Sequence, residues 1–213
     1  MLGLINLSLV VAAYLLGAVP FGWLIARARG VDILSRGSGN IGATNVARVL
    51  GARLGVICFV LDALKGFLPV FVARMVHGAV PGTPLPVVLV GLAAIAGHNW
   101  SVYLRFRGGK GVATSCGVFA ALFPLGLLVA LAVWVAVVAA TRYVSLASIL
   151  AGVSLFVAAM ILPRAPFGVE QIPLTVFAGL AAVLGIIRHR ANIARLIRGT
   201  EPRIGQPPQS RWP

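Results

Sequence analysis

Residues 112–140 read VATSCGVFAALFPLGLLVALAVWVAVVAA, an apolar run without a charged residue and with a single proline, Pro124, between Phe123 and Leu125. The run is too long for one simple crossing, since a helix spans a bilayer with roughly 20 residues. Pro124 lacks the amide that would carry a helix through it. The stretch therefore predicts two short helices, 112–123 and 125–140, folded as a hairpin. Charge outside the run argues for the same choice. A single crossing would put Arg188 and the residues after it on the side opposite Arg105, Arg107 and Lys110. Two crossings gather these with Arg27, Arg29, Arg36, Arg48, Arg53 and Arg142, and leave Arg74 and Arg164 on the other side. Lys65 then lies within a span. Basic residues collect on the cytoplasmic side of short-looped membrane proteins.

Further apolar runs at 4–26, 54–74, 86–97, 144–162 and 172–187 complete the pattern. The expectation is an all-α integral membrane protein with seven transmembrane helices, several of them short, and its active-site loops in the cytoplasm. Short helices call for tilting or local bilayer thinning. The composition agrees. Of 213 residues, 60% are hydrophobic and 10% charged, where soluble domains carry about 25% charged. Mean hydropathy is +1.00. The first run ends in Ala26-Arg27-Ala28-Arg29, so its charge follows the apolar stretch. That order predicts an uncleaved span with its N-terminus outside and the C-terminus inside. Residues 1–200 read as one transmembrane catalytic domain, and the proline-rich 201–213 as a mobile cytoplasmic tail.

The net charge of +14 does not indicate nucleic acid, because the basic residues sit in short loops without interleaved aromatics. Cys58 and Cys116 lie in apolar runs and offer neither zinc spacing nor a disulfide framework. The acids are Asp32, Asp62, Glu170 and Glu201. With Glu170 expected outside and Glu201 in the tail, no metal site and no two-carboxylate mechanism is expected, nor any cofactor. Asp62 and Lys65, three residues apart in the second run, read as a pair that neutralises itself or reaches a polar cavity.

Four polar segments share the predicted inner face. The first, 36–48, holds Gly37, Gly39 and Gly42 among Ser38, Asn40, Thr44, Asn45 and Arg48. Glycines let a backbone turn its amides toward one point, and neutral donors with a fixed cation suit phosphate. The second, 97–114, sets Gly108, Gly109 and Gly111 around Lys110 where a helix begins, an arrangement that binds anions through free amides and the helix dipole. It is not a Walker A loop. His98 and Trp100 just before it read equally as interfacial anchors. The third is the turn around Arg142 and Ser145. The fourth ends the last run, where His189 and Asn192 are spaced to face the same way on a helix; its basic residues also fit simple snorkelling. From these residues alone an enzyme, a transporter of phosphorylated solutes and a membrane-anchored binding protein all stand.

Several motifs carry a resemblance. Gly37-Ser38-Gly39-Asn40, Gly42-Ala43-Thr44-Asn45 and Arg48 are followed by Gly108-Gly109-Lys110-Gly111-Val112-Ala113-Thr114, then by Arg142-Tyr143-Val144-Ser145-Leu146-Ala147-Ser148 and His189-Arg190-Ala191-Asn192-Ile193. Over nearly its whole length the chain resembles the bacterial membrane acyltransferases that move a fatty acyl group from acyl phosphate to glycerol 3-phosphate. Asn99-Trp100-Ser101 departs from the aromatic-proline step usual there after His98. The resemblance implies an inner-membrane enzyme whose partners are acyl phosphate, glycerol 3-phosphate, lysophosphatidic acid, phosphate and membrane lipid. Carried onto this sequence, it puts glycerol 3-phosphate on Ser38, Arg48, Lys110, Ser145, His189 and Asn192, and the donor phosphate on the loop Gly108–Gly111. Acyl phosphate has a good leaving group, and neither cysteine has an activating setting. Direct attack by the glycerol hydroxyl, without an acyl-enzyme, is therefore expected, with either His189 or the donor's own phosphate accepting the proton.

Overall fold

The computed structural model describes residues 2–78, 85–163, 167–169 and 171–206. Arg164, Glu170 and Arg211 lie outside them. Every regular element is helical: α1 (Leu2–Ala18), α2 (Phe21–Arg27), α3 (Ala43–Leu50), α4 (Ala52–His77), α5 (Leu85–Asn99), a short 3-10 turn (Val102–Leu104), α6 (Val112–Leu122), α7 (Pro124–Thr141), α8 (Val144–Ile161), α9 (Ile172–Arg188) and α10 (Arg190–Ile197).

The break expected in 112–140 is present. Phe123 leaves helical geometry (φ −147°, ψ 68°) and Pro124 opens α7, a position where its missing amide costs nothing. Near the end of α6 the carbonyl of Ala121 takes a hydrogen bond from the Arg74 side chain of α4, so this cation closes off a helix end. A second break falls at Val19-Pro20, between α1 and α2. A third bends α9 against α10 by 58° at His189. By length and hydropathy, Leu2–Arg27, Ala52–His77, Pro124–Thr141 and Val144–Ile161 can each cross a membrane, and the bent pair Ile172–Arg188 with Arg190–Ile197 makes a possible fifth. Leu85–Asn99 and Val112–Leu122 are apolar but shorter.

Lipid tails are as apolar as leucine, so helices in a bilayer associate through close backbone contact. Glycines supply it here. Gly97 of α5 lies against Tyr14 O and the Ala18 amide of α1, and Gly66 of α4 against Thr114 O of α6. Gly117 of α6 returns the contact on Ala63 O of α4. α7 packs on α8, and α8 on α9. Between the pairs, Phe119 and Phe177 stack with ring centroids 4.9 Å apart.

Residues 201–206, read from sequence as the start of a mobile tail, are bonded to the body of the protein instead, the first two, Glu201 and Pro202, buried and the rest exposed. The Ile204 amide donates to Arg142 O at 2.9 Å, Arg142 Nη2 donates to Ile204 O at 2.5 Å, and the Arg203 guanidinium lies 5.0 Å from the centre of the Tyr143 ring. The segment straps itself to the turn between α7 and α8.

Gly117→Leu should drive α6 from α4 and destabilise the protein by about 1–3 kcal/mol, read as a lower thermal unfolding temperature in detergent. Gly3→Leu, where an added side chain meets open space, should change it by less than about 0.5 kcal/mol.

Candidate functional site

The first polar segment is shaped by α3. Gly37 and Gly39 take positive φ (55° and 66°), a conformation that glycine adopts without strain. Asn45 reaches back from the start of α3: its Oδ1 accepts the Ser38 amide at 2.9 Å, and its Nδ2 donates to Asn40 O at 2.8 Å and Arg36 O at 3.1 Å. Asn40 Oδ1 in turn accepts the Gly42 amide at 2.8 Å. Asn45, expected from sequence among the substrate contacts, uses its side-chain amide to fix the loop. Ser38, Asn40, Thr44 and Arg48 line a cavity alongside it.

The second segment follows the end of α5. The chain turns through Arg105 and Phe106, both at positive φ (53° and 61°), and an isolated bridge joins Ser101 to Arg107. Ser101, standing in the departure from the family pattern, is buried and donates from Oγ to Ala18 O at 2.6 Å. Gly111 (φ 82°) caps α6, and Lys110 and Gly111 line the cavity. Gly108 and Gly109 are not among its lining residues. Arg188 holds their carbonyls from behind, with Nε 3.1 Å from Gly109 O and Nη2 3.1 Å from Gly108 O. Arg188 therefore does more than snorkel; it clamps the glycine loop.

The third and fourth segments meet on a residue that sequence reasoning assigned to the tail. Glu201 Oε1 accepts Ser145 Oγ–H and Asn192 Nδ2–H, each at 2.6 Å, and its Oε2 accepts Arg195 Nε–H at 2.8 Å. Asn192 passes the link on, since its Oδ1 accepts from Lys110 Nζ. His189, at the α9–α10 bend, donates from Nδ1 to Gly185 O at 2.7 Å, which leaves Nε2 as its acceptor. Ser145, His189, Asn192, Arg195 and Glu201 all line the same cavity as Arg48 and Lys110. The four segments converge.

Burial and crowding among like charges shape the acid–base character. Burial, with Arg195, Arg48 and Arg188 nearby, brings the Lys110 ammonium down to about 8, although Glu201 opposes this. Burial and the Lys110 charge push His189 down to about 4, so its imidazole is neutral at pH 7. Arg48 is lowered by burial and raised by Glu201, and stays charged as any arginine does.

Away from these cations the cavity turns apolar. Phe59, Leu127, Leu131, Trp134 and Ala151 line it toward α7 and α8. A second cleft shares Lys110 and His189 at its mouth and runs between Ile95, Phe119, Leu155 and Leu184. One site thus offers a shell of donors and cations for a phosphate and an apolar crevice for a hydrocarbon chain. Sequence reasoning missed Glu201 and Arg195. The available signal was electrostatic: cations gathered in a low-dielectric site call for a carboxylate, and Glu201 is the acid that follows the last polar segment.

Glu201→Ala should leave Arg195, Ser145 and Asn192 without an acceptor and lower stability by at least about 3 kcal/mol, measured by thermal unfolding in detergent. The same substitution should lower the titration midpoint of Lys110 below that of the parent protein, since the carboxylate's charge supports the ammonium.

A family model described as glycerol-3-phosphate acyltransferase matches residues 7–199. A protein of that name from Geobacter sulfurreducens is 50% identical over 202 residues, covering 93% of this chain and 97% of its own. Another, from Geotalea daltonii, is 47% identical over 197 residues, covering 92% of this chain and 96% of its own. The crystal structure of PlsY, an integral membrane glycerol 3-phosphate acyltransferase, in its glycerol 3-phosphate form, superposes with a TM-score of 0.87 at 42% identity, covering 94% of this chain and 96% of that one. Its lysophosphatidic acid form gives 0.84 at the same identity, covering 94% and 95%. The sequence motifs, the helical fold and the convergent site agree with these likenesses, and the chain belongs to the glycerol-3-phosphate acyltransferase family.

Proposed function

We propose that this protein transfers a fatty acyl group from acyl phosphate to the 1-hydroxyl of glycerol 3-phosphate, releasing phosphate and lysophosphatidic acid, the first acylation of phospholipid synthesis. One observation carries the reading. A single cavity joins Arg48, Lys110 and the polar loops to an apolar crevice between α6, α7 and α8, which suits a reaction between a phosphate-bearing alcohol and a lipid-like phosphate. In this reading α5 and α6 also cross the bilayer, giving seven spans in the cytoplasmic membrane with the N-terminus outside. The polar loops and residues 201–206 then face the cytoplasm, where a water-soluble substrate arrives.

The glycerol hydroxyl oxygen attacks the acyl carbonyl carbon, the bond from that carbon to the phosphate oxygen breaks, and phosphate departs with the proton. Arg48 and the donors of Ser38, Asn40 and Thr44 hold the phosphate of glycerol 3-phosphate. Lys110, Gly111 and the free amides that open α6 hold the phosphate of the donor and the charge that grows on it. Ser145 and Asn192, held by Glu201, place the glycerol hydroxyls. A His189 imidazole near 4 is a weak base at neutral pH. Its Nε2 is suited to orienting the attacking hydroxyl, while the donor's phosphate takes the proton.

Purified enzyme in detergent should release phosphate from palmitoyl phosphate only when glycerol 3-phosphate is present, which a carrier would not do. Lys110→Ala and Arg48→Ala should each lower kcat/KM by about 10²–10³-fold, and near-parental rates in either would sink the assignment. His189→Ala should cost about tenfold, against the 10²–10⁴-fold typical of a lost general base. Because the protonated lysine is the active form, kcat/KM should fall as pH rises through about 8. Lys110→Arg, whose charge is fixed, should not show that alkaline limb.

A further inference from the structure

His98, next to last in α5, is 3% exposed. Its ring is flanked at both edges. Nδ1 faces Asp62 Oδ1 at 3.7 Å, an electrostatic approach beyond hydrogen-bond reach. At the other edge, a side-chain carbon built on Gly109 would overlap Nε2 and sit almost evenly from Cε1 and Cδ2, at 2.9 and 3.0 Å. Gly109 therefore rests end-on against the imidazole, and its amide also donates to His98 O at 3.1 Å. Behind Asp62 stands Lys65, with Nζ 2.7 Å from Oδ1. Lys65 Nζ also donates to Val19 O at 2.6 Å, the carbonyl just before the Pro20 break. A continuous polar row thus runs from the α1–α2 break through α4 to the residue before Lys110.

Stability is a poor reason for this row. Withdrawing Asp62 and Lys65 from water, at 1% and 2% exposure, costs several kcal/mol per ion, and well-packed apolar residues often serve as well. Geometry is a better one. An ion pair and an imidazole hold fixed separations, and Arg188 clamps the opposite side of the loop through the Gly108 and Gly109 carbonyls. The loop is held between Arg188 and His98, and Lys110 is the next residue along.

We propose that Asp62 and His98 are positioning residues: the row Val19–Lys65–Asp62–His98 sets the height of Gly109 and so fixes where Lys110 presents its charge. The inference rests on the acyl transfer proposed above. Absence of turnover in the parent enzyme would fail that reading, whereas the comparisons below can fail this one alone.

The test is a set of double-mutant cycles on purified, folded protein, read as kcat/KM for palmitoyl phosphate and phosphate release. His98→Ala should lower it by at least about tenfold, since small displacements of a catalytic group cost up to about 10²-fold. Gly109→Ala should be as damaging in the parent, where the new methyl meets the imidazole, yet cost less than about threefold in the His98→Ala background, where it has room. Asp62→Asn should match the His98→Ala loss and add nothing to it when combined. Where Asp62→Asn leaves Lys65 unpaired and unfolds the protein, Asp62→Asn with Lys65→Gln takes its place. Additive losses in either cycle, or a His98→Ala enzyme within twofold of the parent, would overturn the proposal. So would failure of both His98→Ala and His98→Gln to fold, because the ring would then be structural support.

Discussion

Everything in the polar cavity of this molecule depends on one carboxylate standing among cations. Arg195, Arg48 and Arg188 all stand close enough to Lys110 to add to the effect of burial in lowering its hold on a proton. Like charges about 4 Å apart repel by roughly 4 kcal/mol at the effective dielectric of a partly buried site. Glu201 offsets that repulsion and also directs it. Its two oxygens hold Ser145, Asn192 and Arg195, and Asn192 hands the constraint on to Lys110. The carboxylate lets the cations stay close while leaving them an excess of positive charge, which is the condition for gripping a phosphate.

The bilayer sets the second constraint. Backbone groups in hydrocarbon must satisfy one another, so irregular chain is confined to the ends of the helices, and the chemistry must be assembled there. Short helices and breaks do the assembling. The bend at His189 brings α10 to the cavity, and Gly111 starts α6 where Lys110 lines it. Below the cavity the same helices leave an apolar crevice without further design. With the acyl phosphate proposed above as donor, little catalytic machinery is called for, because that donor is already activated; the protein's share is position and charge.

The fold was legible where physical chemistry is local. Pro124 announced a helix break, and the apolar runs around it announced helices. The two glycine-rich segments read as loops suited to anions, and they line one cavity with Ser145, His189 and Asn192. What sequence could not show was which donors the protein uses itself. Asn45 looks like a phosphate ligand until its amide is seen to be bonded to its own loop, and Gly109 looks like part of an anion cradle until its own amide is seen to donate to His98 O. Glu201 was hidden for another reason. Proline-rich flanks read as mobile chain, and only long-range packing against the α7–α8 turn reveals a residue held in place. Asp62 and Lys65 were legible as a pair, but the place of His98 beside them was not, because an imidazole near a helix end serves as readily at a membrane interface as under a loop.

The distance along the chain between the partners of this network has a consequence for how the protein is made. Ser145 and Glu201 are 56 residues apart, and Lys110 and Asn192 are 82 apart. Synthesis delivers the cationic loops first and their counter-charge afterwards. Until residue 201 arrives, Lys110 and Arg48 lack the carboxylate between them, and the Asn192 Nδ2 donor lacks its acceptor. A partly inserted chain therefore has the charges of a catalyst without their arrangement, and competence comes late in biogenesis, when the strap at Glu201–Ile204 docks.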